Sequence, residues 1–204
     1  MPSHLHSLDS GERVESQVSP RPPTEEQSLD QQLIEFRRNK FLAMPIAGAV
    51  AWSGIAIASI IFDSTFAKCM SVFVGTGSIF YLGLVVARFT GENLMRKKGN
   101  KNYFDTIFLY AVAQAVGVYA IAIPFFMLEA ESLPMSVGIL TGLMWLPFSA
   151  LVGHWVGIFH ASIRTGLILV IWYVFPDFRF AGTAIAIVGV YLITIMLLLQ
   201  RKLP

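Results

Sequence analysis

From Phe41 onward the chain is a succession of apolar runs, each near twenty residues long and broken only by short polar connections. Wound as a helix at about 1.5 Å per residue, a run of that length matches the hydrocarbon core of a bilayer. Such a pattern leaves little room for a large soluble domain. Composition agrees: 55% of residues are hydrophobic and 14% charged, with a mean hydropathy of +0.63. Soluble domains run near 45–50% apolar and about 25% charged. The reading is an all-α polytopic bundle embedded in a lipid bilayer.

The runs predict spans at about Phe41–Phe62, Phe66–Val86, Phe104–Leu128, Met135–Val152, Ile158–Phe175 and Phe180–Leu199. Asp63-Ser64-Thr65 makes a tight turn, and Arg88 to Lys101 is the main polar connection. The 41 residues from Met135 to Phe175 hold two crossings only if the turn between them is very short. Gly153 and Gly157 bracket that turn. A turn at His160 to Arg164 would leave too few residues before Pro176 to cross again. Pro147 is expected to kink the fourth span, since proline removes one helical hydrogen bond.

Charge placement supports an even number of spans. Of 15 Lys and Arg, two (Arg13 and Arg21) lie in the distant N-terminal segment. Six spans put eleven of the rest on one face, among them Arg37, Arg38, Lys40, Arg88, Arg96, Arg164, Arg201 and Lys202, against Lys68 and Arg179 on the other. That bias predicts both termini in the cytoplasm. Basic residues hugging the ends of apolar runs do not form a solvated patch, which argues against nucleic-acid binding. The lone Cys69 excludes an intrachain disulfide and reads as a small hydrophobe.

Residues 1–30 are rich in Ser, Pro, Glu and Gln and read as a disordered tail, without the apolar core of a signal peptide. Residues 31–204 form the six-helix domain. At its start, Ser28-Leu29-Asp30-Gln31 matches a capping box, and Leu29, Leu33 and Phe36 recur at helical spacing. A short interfacial helix is expected there, with Arg37, Arg38 and Lys40 toward lipid headgroups.

Small residues crowd the first two spans, including Ala47, Gly48, Ala51 and Gly54, then Gly75, Gly77 and Gly83. They let helices approach closely in lipid. Gly75-Thr76-Gly77 lacks a third glycine and sits in an apolar run, so packing explains it better than nucleotide binding. The segment with chemical content is His154 to Arg164. A helix starting near Ile158 buries Arg164 roughly 9 Å deep, where an unpaired charge costs at least ~2.5 kcal/mol. His160 lies four residues earlier on the same face. Asp105, opening the third span on the same side, is the expected partner, with Gln114 deeper on that helix. His154 lies at the turn, and Trp145, mid-helix beside a proline, either lines a pocket or fills a gap. The plainer alternative is that Arg164 snorkels to the headgroups and His160 bonds a backbone carbonyl. Neither a metal site nor a cofactor is indicated, and no known catalytic constellation is present.

Gly91 to Phe126, and above all Leu133-Pro134-Met135 through Leu146-Pro147-Phe148 with its Gly-x-x-x-Leu-Pro stretch (Gly142 to Pro147), resembles a family of small bacterial multi-span proteins. It is classed as a domain of unknown function, number seven thousand and ten. The resemblance covers roughly Gln32 to the C-terminus. It implies a compact bundle in a bacterial inner membrane and no activity. The His154–Arg164 segment is richer in polar residues than the family's pattern, which limits what carries over. Three functions are compatible with the sequence: binding or transport of a small, anionic solute or lipid; a membrane enzyme acting on a lipid or isoprenoid, with His160 as acid or base and Arg164 holding a phosphate; or an accessory subunit in a homo- or hetero-oligomer.

Overall fold

A computed structural model of the chain describes residues 28–92 and 102–204. The expected tail and most of the basic connection between the second and third spans lie outside these residues. Among those described, the order is α1 (Leu29–Arg37), α2 (Ala43–Ile61), α3 (Thr65–Thr90), α4 (Tyr103–Gly117), α5 (Tyr119–Leu128), α6 (Leu133–Leu143), α7 (Trp145–Val152), α8 (Val156–Val174) and α9 (Arg179–Gln200). With α4–α5 and α6–α7 each counted as one rod, six helices are long and apolar enough to cross a membrane. The chain is a multi-pass integral membrane protein.

Both composite rods carry a proline and break on its N-terminal side. Pro124 and Pro147 cannot donate to the carbonyl four residues back, and their rings press on it. The α6–α7 joint falls accordingly at Met144, three residues before Pro147, whereas the α4–α5 joint at Val118 lies six residues before Pro124, beyond the reach of that ring. Backbone dihedrals at both joints stay helical (φ −54°, ψ −35° and φ −58°, ψ −21°), so each is a bend and not a reversal. The fourth span begins earlier than Met135, because a 3₁₀ turn at Ala130–Ser132 leads directly into α6. The fifth begins at Val156, which places Gly157 inside α8 and leaves the turn to Gly153, in the left-handed region at φ +66°.

Two walls differ in how closely they pack. In the first, α2 lies against α9, α9 against α8, and α8 against α6 and α7. Half of α2's apolar window (50%) is buried within the bundle. The second wall is α3 and the α4–α5 rod, each with only 17% of its window buried. Helix α3 packs along α2 with one face only, and α4 leans on α1 and α7.

The face that bears the described chain ends is tied by side chains onto carbonyls that helix termini leave without partners. Arg201 donates from Nη2 to the carbonyls of Arg37 (3.0 Å) and Asn39 (2.6 Å), and from Nη1 to that of Val152 (3.4 Å). Arg37 donates from Nε to Leu151 (3.0 Å) and from Nη2 to Ala150 (3.4 Å). Arg37 is therefore an internal clamp rather than a headgroup contact; Arg38 and Lys40 are exposed. Burial, and then the charge of Arg37, draw the pKa of Arg201 below its ordinary value. Glu92, past the end of α3, accepts from the backbone N–H of Leu42 (2.7 Å) and Ala43 (3.3 Å), capping α2. The capping box at Ser28 and Gln31 is formed in both directions. On the opposite face Arg179 pairs with Glu131 (2.9 Å) and covers the Trp172 ring at 4.0 Å.

Candidate functional site

Arg164 sits eight residues into α8, about 12 Å along the helix from Val156. It is 1% exposed, so it neither snorkels nor reaches the polar face. The surrounding helices make room by omitting side chains. A Cβ on Gly142 would stand 3.1 Å from Arg164 Cδ, and one on Gly48 would stand 2.4 Å from the Tyr191 ring. A Cβ on Gly157 would stand 2.1 Å from the Trp145 carbonyl oxygen, which is how α8 comes close enough to α7 for His160 to meet Trp145.

Three acceptors hold the guanidinium, and all are uncharged groups. Nη2 donates to Thr141 Oγ1 (2.9 Å); Nη1 donates to the Tyr191 hydroxyl (3.3 Å) and lies 3.4 Å from His160 Nε2. Its Cζ also stands 5.5 Å from the centroids of the Trp52 and Tyr191 rings, within cation–π range. Arg164 Nε has no hydrogen-bond partner among the described residues.

The hydrogen positions follow from the network. Thr194 donates its hydroxyl hydrogen to the Val190 carbonyl (2.7 Å), so toward His160 Nδ1 (2.8 Å) it is an acceptor. His160 then carries its proton on Nδ1 and turns the Nε2 lone pair to Arg164, which fits a neutral imidazole. Thr141 repeats the device, donating to the Val137 carbonyl (2.6 Å) and accepting from Arg164. Back-bonding of this kind turns a threonine into a pure acceptor toward its neighbours. Trp145 closes the cluster, stacked on the His160 ring at 4.1 Å and 20° and edge-on to Tyr191.

Against this cluster lies a cavity of about 500 Å³ between the two walls, bordered by Thr141, Trp145 and Tyr191 on one side and by α3 and α4–α5 on the other. Its lining is mostly apolar, and the volume falls within the ~300–1,000 Å³ usual for ligand pockets. Thr76 and Tyr119 meet across the α3–α5 side. Thr76 spends its own hydrogen on the Val72 carbonyl, so Tyr119 is the donor of that pair. Tyr191 differs from these hydroxyls. It accepts from Arg164, and its own hydrogen is committed to no acceptor among the described residues.

Of the residues expected from sequence, Arg164, His160 and Trp145 come together. Asp105 stands in the first turn of α4, which packs on α1 and α7, while Arg164 points between α6 and α9; none of Arg164's hydrogen bonds among the described residues reaches it. Gln114 is exposed and is not among the residues bordering the cavity. His154 belongs to the turn. Its Nδ1 accepts from the N–H of Val156, while Ser149 Oγ accepts from that of Ile158, so the pair caps α8. Burial first, then the charge of Arg201, hold the His154 pKa below its usual value. Thr141, Tyr191, Thr194 and Trp52 were not expected. Lone hydroxyls and aromatics on apolar helices look like packing, and the only available signal was the placement of Gly48 and Gly142.

The chain belongs to a family of unknown function (DUF7010), which matches residues 30–201. No curated protein and no solved structure matches the chain. The resemblance drawn from the Leu133–Phe148 stretch is therefore to the right family, and Gly142 in its Gly-x-x-x-Leu-Pro stretch is the residue against which Arg164 lies.

Proposed function

We propose that the protein binds a small molecule carrying one anionic group and an apolar body, held in the cavity between the two walls. One observation carries this reading: Tyr191 accepts a hydrogen bond from a fully buried arginine and borders the cavity, with its own hydrogen still to give. A guanidinium bonded to the hydroxyl oxygen polarises its O–H and strengthens it as a donor. An anion taking that hydrogen lies about 6 Å from the guanidinium, where an effective dielectric near 20 gives roughly 3 kcal/mol of attraction. Keeping a cation in lipid among neutral acceptors is costly, and groups of this kind inside membranes usually mark ligand paths.

Transport of that molecule fits a polytopic bundle whose site lies near mid-depth, and the termini are then cytoplasmic by the distribution of Lys and Arg. A bacterial inner membrane is the setting that goes with this orientation. Lipid-modifying catalysis is less favoured. The Nε2 lone pair of His160 faces Arg164, and His160 is fully enclosed by Trp145, Tyr191 and Thr194, which leaves it no direct path to a substrate.

Native mass spectrometry of the detergent-extracted protein tests the proposal. Wild type should retain a small acidic amphiphile that Tyr191→Phe holds weakly and Arg164→Gln loses. Identical spectra from all three proteins would remove the anion site and leave the cluster a packing element.

A further inference from the structure

We infer that the ligand is a membrane-dissolved, long-chain amphiphile with one anionic head, and that it reaches the site sideways from the lipid through a cleft between α3 and α4. This rests on the anion-binding reading above and goes on to name the ligand class and its route.

The cleft is built by what the two helices do not touch. Helix α3 packs against α2 and, through a smaller area, α6; α4 packs against α1, α5 and α7. Between them they border the cavity from both sides without forming a packed pair of their own. The rim residues confirm that the gap faces outward. Tyr81 is 70% exposed and Val116 73%, yet both border the cavity. Gly77, also on the rim, has nothing within 4 Å of the position its Cβ would take, so α3 is open on this face.

Depth decides which phase the cleft opens to. Gly77 and Tyr81 lie 13 and 9 residues before the end of α3 at Thr90, and Leu109 and Val116 lie 6 and 13 residues after the start of α4 at Tyr103. At 1.5 Å per residue the rim therefore runs from about 9 to about 20 Å below the face that bears the described chain ends. A hydrocarbon half-layer is roughly 15 Å thick, so the mouth opens into acyl chains. The route toward that face is narrowed by a cluster of aromatic side chains: Phe41 contacts Phe36, Phe108 and Phe148, with Trp145 against Phe148. A molecule that arrives through lipid must be apolar over most of its length. One that stays must offer a group that Tyr191, backed by Arg164, can hold. A single-chain amphiphile with a carboxylate or phosphate head meets both demands, and a small hydrophilic anion meets only the second.

The experiment uses the full chain in phosphatidylcholine nanodiscs, with a bromine-labelled long-chain fatty acid as probe and quenching of tryptophan fluorescence as readout. Trp145 borders the cavity, so Trp145→Phe identifies the part of the signal that belongs to the site. Quenching should saturate with the mole fraction of probe in the bilayer and not with its total concentration. Butyrate at a thousandfold excess should leave it unchanged. Gly77→Leu, which fills the mouth from α3, should weaken quenching at least tenfold, and Arg164→Gln should do the same. Saturation that follows aqueous concentration, competition by butyrate, or an unchanged response in Gly77→Leu would overturn the lateral route while leaving an anion site at Tyr191 in place. A cleft covered by a second copy, seen as two chains per disc with Tyr81→Cys cross-linked between them, would overturn it as well. If the fatty acid quenches without saturating and Arg164→Gln matches wild type, the anion-binding reading falls together with the route.

Discussion

The wall of α2, α9, α8 and α6 and the wall of α3 and α4–α5 are similarly apolar, yet the second buries far less of its surface, although α3 packs closely along α2. In lipid, apolar character gives helices no reason to associate, so what distinguishes the walls is shape. The tight wall has glycines where a neighbour must come within a few ångströms: Gly48 under Tyr191, Gly142 under Arg164, Gly157 under the α7 backbone. Gly75 of α3 makes such an approach to Ile55 of α2, while Gly77 and Gly117 on the loose wall, like Gly54, Gly166 and Gly189 on the tight one, have nothing within 4 Å of a Cβ position. Apolar content sets where a helix lies in the membrane, and the small residues decide which helices touch. The polar cluster sits on the tight wall because a buried guanidinium needs acceptors that do not move. The volume for a ligand sits on the loose side.

Gly157→Ala tests this contrast most severely. The added methyl meets a backbone oxygen at 2.1 Å, which no rotamer change relieves, so we expect about 3 kcal/mol or more of destabilisation and loss of folded protein in detergent. Gly77→Ala should leave thermal unfolding within about 0.5 kcal/mol of wild type. Equal losses at the two positions would mean that the walls do not differ. Next in size is Arg201→Ala, which removes three hydrogen bonds to carbonyls at the edge of the tight wall. The side chain is partly exposed, so we expect about 1–2 kcal/mol, read as a lower unfolding midpoint.

Arg164→Met sharpens the comparison in the other direction. Of the three partners, Thr141 already donates to its own helix and Tyr191 borders the cavity, so removing the cation orphans no hydroxyl hydrogen and leaves only the His160 Nε2 lone pair without a donor. Exchanging a buried charge for an apolar side chain of similar length should leave stability unchanged or raise it by about 1 kcal/mol. Anion binding should be lost. A stability loss above about 2 kcal/mol would make Arg164 a structural residue. The smallest effect concerns His154. Its pKa is held low in the folded chain, so the folded state disfavours the proton that the unfolded chain accepts near 6.5. Its contribution to stability is therefore complete above pH 6.5 and falls as the pH drops below it. The shift in unfolding midpoint between pH 7.5 and 5.5 should shrink in His154→Gln.

Much of this architecture can be read from residue order alone. The six spans follow from the length of the apolar runs, and the start of α1 from Ser28 and Gln31. Arg164 and His160 announce themselves because ionisable groups are rare inside such runs. The partner of Arg164 did not follow, because a sequence reader matches charge with charge and finds Asp105. The structure matches charge with hydroxyls whose hydrogens are already spent, and whether a threonine bonds back to its own helix is a matter of rotamer. The bend near Pro147 shows the same limit on a smaller scale. Proline marks the cause, but the clash is with the carbonyl four residues earlier, so the joint falls at Met144.

The packing of α2 on α9 has a consequence in time. The first span to be synthesised has one of its main neighbours in the sixth, and Arg201, just past α9, closes the knot onto the carbonyls of Arg37 and Asn39. Helix α2 can pair with α3 at once, but its face toward α9 must wait in the lipid while most of the chain is made, with Gly48 unmatched. During that interval any insertion machinery or chaperone that shields small-residue faces has a defined client surface. The tight wall and its buried arginine assemble only when the sixth helix enters the bilayer.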